Sequence, residues 1–160
     1  QFRFQRLAAV PRFYLTPFYR VLDQRDSVIG FMNSPTFLPG RDLAIEKAPS
    51  MTMDTLAGAS GTVRLIAENP NRIELAVTTG GNTLLSASEV YYPAWKASVD
   101  SKSTELLVAN HLFRAIAIPA GTHRVVMKFK SDAFSRGAWI SLAALIFCLS
   151  LLFVPYKTLR

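Results

Sequence analysis

Few side chains in this sequence are of a type that does chemistry. His111 and His123 are the two imidazoles among 160 residues, and Cys148 is the one thiol. A structural zinc site takes about four His or Cys ligands and a disulfide takes two cysteines, so the chain by itself can supply neither. His123 stands in Gly121-Thr122-His123-Arg124 at the entry to an expected strand, which reads as a hydrogen-bonding edge histidine. Cys148 lies inside an apolar run with no activating base beside it, and reads as a small hydrophobe. The serines of Gly58-Ala59-Ser60-Gly61 and Leu85-Ser86-Ala87 lack a nucleophile-elbow pattern. Gly80-Gly81-Asn82 reads as a hairpin turn and not as a phosphate loop. Asp23 and Asp26 suit the N-terminus of a short helix better than an acid/base pair. The expectation is a chain with no catalytic residue, no cofactor site and no metal site.

Aromatic and basic residues point instead to contacts. Tyr91-Tyr92-Pro93-Ala94-Trp95-Lys96 puts three aromatics and a proline into six residues. Such a segment is either a rigid platform for a sugar or a protein, or a core anchor in which Trp95 is buried and the tyrosines cap the rim. Arg114, between Phe113 and Ala115, is expected to pair with Asp100 or Glu105 across strands. Residues 1–40 carry five arginines against two aspartates, and Arg3, Arg6, Arg12 and Arg20 interleave with Phe2, Phe4, Phe13, Tyr14, Phe18 and Tyr19. That mixture suits nucleic acid in general, but beside a membrane anchor the nearer anionic surface is the lipid headgroups. A neighbouring membrane subunit is the other candidate, since Arg and aromatics are enriched at interface hot spots. The candidate contacts are Arg12, Tyr14, Tyr91, Tyr92, Trp95 and Arg114, with no nucleic-acid partner expected.

The anchor itself is plain in the composition. Half the residues are hydrophobic and 18% are charged, against about 25% charged in an ordinary soluble chain. From Gly137 to Tyr156 twenty residues run without a charge, about 30 Å of helix and the thickness of a hydrocarbon core. Trp139 and Tyr156 stand near its ends, where amphipathic rings favour the headgroup level, and Lys157 and Arg160 follow. Ser141 and Ser150 can bond back to carbonyls of their own helix. The flanking charges do not decide the orientation. The chain opens on Gln1 and not on methionine, so an upstream segment, a signal or further membrane helices, is expected to have preceded it.

Before the helix, most patterns have a period of two. Thr62–Glu68, Arg72–Thr78, Thr83–Ser88, Trp95–Val99, Glu105–Val108, Phe113–Ile118 and Arg124–Lys130 read as strands separated by turn signals such as Asn69-Pro70-Asn71 and Pro119-Ala120-Gly121. Val63, Leu65 and Ala67 are expected on one face of the first of these, and Ile73, Leu75 and Val77 on one face of the second. Arg12–Leu15 and Leu43–Glu46 read as short strands, Asp23–Met32 as a helix, and Ala48–Gly61 as a flexible polar linker. The predicted class is mainly β: an antiparallel β-sandwich with a small α/β N-terminal subdomain, then one C-terminal transmembrane helix. The expected divisions are 1–60 for the basic and aromatic arm with its subdomain, 61–132 for the sandwich, 133–156 for the helix and 157–160 for the basic tail.

One stretch resembles a known pattern. Residues 91–130, YYPAWKASVDSKSTELLVANHLFRAIAIPAGTHRVVMKFK, resemble the C-terminal extracytoplasmic region of YfhO-like bacterial membrane proteins, which are related to the C-type fold of lipid-linked-sugar glycosyltransferases. Tyr92, Pro93, Trp95, Lys96, Asp100, Asn110, Arg114, Pro119, Gly121 and His123 stand at the pattern's positions, while Ala94 and Ser101 replace its usual glycines. Val10–Tyr14 and Asn33–Phe37 look like the family's entry to this region. The resemblance implies a β domain outside the cytoplasm, periplasmic in a bacterial inner membrane, with the C-terminus cytoplasmic. The family's proposed catalytic acid lies in a many-helix portion upstream, so the resemblance does not imply sugar transfer by these residues. The leading expectation is a non-catalytic single-span subunit that packs on and stabilises a larger integral-membrane complex, with a respiratory or photosynthetic host possible. Its partners are then membrane subunits and the bilayer. The alternatives are an accessory domain of a YfhO-like transferase handling a lipid-linked sugar or acceptor, and a carbohydrate-binding module.

Overall fold

Alternation of apolar and polar residues builds two sheets, and their buried faces define the β domain. The computed structural model describes residues 9–152, in two units that divide after Phe129. In chain order the elements are β1 (Phe13–Thr16), β2 (Tyr19–Val21), α1 (Arg25–Met32), β3 (Leu43–Ile45), β4 (Gly61–Asn69), β5 (Arg72–Thr79), β6 (Thr83–Ala87), β7 (Trp95–Val99), β8 (Lys102–Thr104), β9 (Leu107–Ala109), β10 (Phe113–Ile118), β11 (Gly121–Phe129) and α2 (Asp132–Leu152). One sheet has six strands in the order β1-β6-β10-β9-β3-β2, and the other has five in the order β4-β5-β11-β7-β8. Every pairing is antiparallel except that of β2 with β3. The mainly β sandwich with one C-terminal apolar helix is the class the sequence predicts.

The sheets meet through Ile73, Leu75 and Val77 of β5, Ala97 of β7 and Val125 and Met127 of β11, packed on Leu85 and Ala87 of β6 and Ile116 and Ile118 of β10. The six-stranded sheet is covered on its other face as well. There Leu84, Ala115 and Ala117 join Leu43, Ile45, Leu107 and Ala109, with Met53 packed among them and Tyr14, Tyr19, Met51 and Phe113 at the margin. Leu84 and Leu85 are therefore both buried although they point to opposite faces. Burying each such side chain contributes about 1.5–3 kcal/mol.

This second core also takes in the strands of residues 13–45. β1 pairs with β6 through Leu15 opposite Leu85, and β3 reaches β9 through Ile45 opposite Ala109, so the N-terminal strands extend the six-stranded sheet and share its cores. Residues 48–61, expected as a flexible polar linker, form an ordered strap instead. Met51 and Met53 pack beneath the sheet. Asp54 and Asn82 exchange two hydrogen bonds, each 2.8 Å, and the Asn82 amide donates to the Thr52 carbonyl at 3.1 Å. A 3-10 turn over Ala57–Ala59 then sets Gly58 against the Asn82 carbonyl, so close that a Cβ there would lie 2.4 Å from that oxygen. Two methionines in a small-residue segment supply the burial that a linker composition conceals.

β4 departs from expectation in the opposite sense. Only Val63 of the predicted stripe packs against the core. The pairing with β5 shifts register between Leu65 and Ala67, leaving Leu65 and Ile66 exposed on an edge strand. A bulge of this kind breaks the two-residue period that the prediction assumed. β2 and β8, three residues each, are too short to show a period. α1 has Gln24 as its N-cap with no side-chain cap bond, and Asp26 lies in its first turn.

Two turns use left-handed backbone. Asp100 (φ 49°) and Ser101 (φ 68°) form the two-residue connection from β7 to β8, the geometry of a type I′ hairpin. Asn110 (φ 48°) and His111 (φ 69°) lead from β9 to β10. Buried Asn110 accepts the Ala44 N–H through Oδ1 at 2.9 Å and donates its own N–H to the Ala44 carbonyl at 2.7 Å, so this turn also fastens β3.

α2 begins at Ser131, whose hydroxyl accepts the Phe134 N–H at 3.2 Å, with Asp132 in the first turn. The helix is long and apolar enough to cross a membrane and buries none of its residues in the protein over Asp132–Ser150. Trp139 is exposed on it, and the Ser150 hydroxyl bonds back to the Phe147 carbonyl at 2.7 Å. Tyr156, Lys157 and Arg160 lie outside the described residues, as do Arg3 and Arg6.

A side chain at φ 68° carries strain of about 1 kcal/mol that glycine does not. Ser101→Gly is therefore expected to stabilise the β domain by about 1 kcal/mol, read as a raised urea midpoint of the detergent-solubilised chain. An unchanged or lowered midpoint would show that the turn is not strained at Ser101.

Candidate functional site

Three of the six nominated contact residues converge at one end of the sandwich. Arg114 sits in β10 opposite Ala87, the last residue of β6, and the chain beyond β6 folds back over it. The Ser88 N–H donates to the Arg12 carbonyl at 2.8 Å, which brings the start of β1 to the same place. The end of β4 delivers Glu68 and the start of β7 delivers Trp95.

The cluster centres on Glu89. Arg114, with a side chain only 5% exposed, forms an ion pair with Glu89, its Nη2 lying 2.9 Å from Oε2, and donates from Nε to the Val90 carbonyl at 3.0 Å. Its guanidinium carbon lies 4.1 Å from the Trp95 ring centroid, a cation–π contact at a largely desolvated site. Arg12 donates from Nε to Glu89 Oε1 at 2.6 Å and forks onto Glu68 at 2.9 and 2.5 Å. Glu89 is thus shared by a buried and an exposed arginine. The Trp95 ring meets Phe129 edge-on at 5.6 Å, and Tyr92 stacks on Phe129 at 6.0 Å with an interplanar angle of 24°. Arg12, Glu68, Asn69, Pro70, Ile73, Glu89 and Trp95 line an open cleft of about 340 Å³.

These contacts set the protonation states. Hydrogen bonds from Arg12 hold the Glu68 carboxyl below its usual range, and those from Glu68, then Glu89, raise Arg12. Burial lowers Arg114, and Glu89 opposes that shift. A general acid needs a carboxyl pushed upward, so Glu68 is shifted away from that role. What the arrangement does chemically is cross-link the start of β1, the end of β4, the loop after β6 and β10.

Tyr92 joins this cluster through Phe129, and Tyr14 and Tyr91 lie elsewhere. Tyr14 packs beside the second core under the six-stranded sheet, and burial raises its phenol. Tyr91 is half-buried, and its backbone N–H donates to the Leu112 carbonyl at 2.6 Å. Trp95 is half-buried and packs at the margin of the main core. Arg114 pairs with neither expected acid: Asp100 bonds His123, and Glu105 bonds Lys47 at 2.7 Å. Glu89 and Phe129, the two hubs, were not singled out from the sequence, where an isolated acid between strands and the last residue of a strand carry no signal. Among the described residues, no three His, Cys, Asp or Glu side chains are grouped to hold a metal ion. No family model, curated protein or solved structure matches the chain.

A second ionic device lies at the β7–β8 turn. His123 Nδ1 is 2.6 Å from Asp100 Oδ2, and Nε2 is 3.2 Å from the Ala120 carbonyl. Both partners are acceptors, so the arrangement favours the protonated ring, which can donate from both nitrogens. The Asp100 hydrogen bond raises the His123 pKa, and the same bond, followed by the Arg124 N–H, lowers that of Asp100.

Two outcomes are expected. Glu89→Gln removes the counter-charge of buried Arg114 and should cost about 3 kcal/mol in a urea titration, whereas Arg12→Ala, at an exposed position, should cost about 1 kcal/mol or less. Equal losses would show that burial does not rank these pairs. The His123 contribution is full below pH about 6.5 and is lost as pH rises through its elevated folded value, while that of Asp100 is lost as pH falls below about 4. The urea midpoint should therefore drop as pH rises above about 6.5, and His123→Gln should flatten that slope.

Proposed function

We propose that this chain is a non-catalytic, single-span membrane subunit whose β domain packs on and stabilises a larger integral-membrane complex. The observation that carries the reading is α2, a helix of 21 residues whose large apolar side chains stand outside any protein core. In water that surface is costly, and in a bilayer it is matched. A partner is supported by a ledge on the β domain, where Val90, Tyr92 and Leu112 are all more than half exposed. The Tyr91–Leu112 backbone bond holds the two loops that carry them side by side. Clustered exposed apolar residues on a domain with satisfied cores mark a contact surface. A respiratory or photosynthetic complex suits this architecture as host. By its resemblance to YfhO-like proteins, the β domain is placed outside the cytoplasm of a bacterial inner membrane, with the C-terminus inside.

A second reading has an observation of its own. Tyr92, 56% exposed and stacked on Phe129 beside Trp95, offers a flat apolar face of the kind that takes the face of a sugar ring. This favours an accessory domain of a YfhO-like glycosyltransferase handling a lipid-linked sugar or its acceptor, or a carbohydrate-binding module.

Mild-detergent extraction of the native membrane, native electrophoresis and mass spectrometry separate the readings. Stoichiometric co-migration with other membrane subunits is expected. Tyr92→Glu combined with Leu112→Glu should abolish it while moving the urea midpoint little, since both positions are exposed. A species that instead carries many membrane-spanning peptides from the same gene would sink the subunit reading in favour of the transferase.

A further inference from the structure

The outer face of the five-stranded sheet is the most one-sided charged surface of the β domain. Strand alternation places Arg64 of β4, Arg72 of β5, Arg124 and Lys128 of β11 and Lys96 of β7 on the face opposite the main core, in register across four strands. Arg64 lies opposite Ala76, and Ala76 opposite Arg124, while Lys128 lies opposite both Arg72 and Lys96. The one acid among them is Glu74, which is buried under two of the arginines: Arg72 Nη2 donates to it at 2.9 Å, and Arg124 donates to its other oxygen. Glu74 therefore shows no negative surface and holds two guanidiniums in place, with the Arg124 side chain still 65% exposed. Residues 9–129 contain twelve Lys and Arg and ten Asp and Glu. This face has five of those basic residues and one of the acids, which leaves seven against nine for the rest of residues 9–129. One sheet face thus carries a net positive charge.

We propose that this face docks on anionic phospholipid headgroups of the membrane that α2 enters. The inference rests on the anchoring part of the function proposed above. Its own support is charge complementarity and chain length. Only Lys130 and Ser131 separate β11 from α2, so the Lys128 end of the face is tethered within about 14 Å of the start of the helix. A leaflet rich in anionic phospholipid holds a negative surface potential, on the order of −30 mV, attractive to each Lys or Arg within a Debye length of about 10 Å. A sheet face of fixed cations meets such a surface with little loss of side-chain freedom where Glu74 already orders two of them.

The test reconstitutes the full chain into vesicles of phosphatidylcholine alone or with phosphatidylglycerol, and follows acetylation of lysines by a membrane-impermeant reagent with peptide mass spectrometry. Lys96 and Lys128 are the probes. Lys47, off this face and paired with Glu105, is the internal reference in the same molecules. A surface at about −30 mV raises the local proton activity about threefold and lowers the reactive amine fraction by about the same factor. Acetylation of Lys96 and Lys128 relative to Lys47 should thus slow about threefold or more with phosphatidylglycerol, and about 1 M salt should remove the difference. Equal relative rates in the two lipids would overturn the proposal, as would a slowing that salt does not touch. Slowing in native membranes with none in vesicles would also overturn it and assign the face to a protein surface. Carbonate extraction of the same vesicles reports anchoring separately. A chain that washes off fails the anchoring reading, and one that stays with equal lysine rates fails only this inference.

Discussion

Burial of both faces of β6 and β10 constrains everything else in the β domain. Five successive residues of β6 and five of β10 are buried, so neither strand has a solvent side. One face requires an opposing sheet, which β5, β7 and β11 provide. The other requires cover that a two-layer sandwich does not offer, and the strap carrying Met51 and Met53 packs there. The strap is tied through Asn82 at the entry to β6, so the segment that covers the second core is fastened to the strand it covers. Thr83 and Ser86 place hydroxyls inside this region without hydrogen-bond partners, a polar content that costs stability.

Three carboxylates are shared between donors. Glu89 joins Arg12 to Arg114, Glu74 joins Arg72 to Arg124, and Asp100 accepts from both His123 and the Arg124 backbone. Glu89 and Glu74 each hold cations from two separate strands or loops, while Asp100 fastens the β7–β8 turn to two neighbouring residues of β11. Each pairing offsets part of the repulsion between neighbouring cations.

The sequence reveals the fold where strands alternate and conceals it where they do not. β5, β7 and β11 follow the two-residue period because one of their faces meets the core and the other is polar. β6 and β10 are readable as short apolar runs, but only the second core explains why Leu84 and Leu85 are both apolar. Residues 48–61 look like a linker because their order comes from two methionines and one Asp–Asn pair, which leave no periodic trace. The candidate site is half legible. Arg12, Trp95 and Arg114 stand out by type, whereas Glu89 acquires its role from a loop path that no local pattern encodes. The apolar run of α2 is legible across the described residues, because it shows in composition and length and needs no tertiary contact to mark it.

The register shift in β4 has a consequence for the chain before it reaches its final setting. β4 is a nine-residue edge strand, and an edge of that length with exposed Leu65 and Ile66 is a template on which a second molecule can zip up. The shift between Leu65 and Ala67 twists the strand at mid-length and interrupts the row of backbone groups, and Arg64 stands beside the interruption. A second copy approaching this edge thus meets a broken, charged strand. The irregularity that hides the strand from sequence periodicity is also what protects it from self-association.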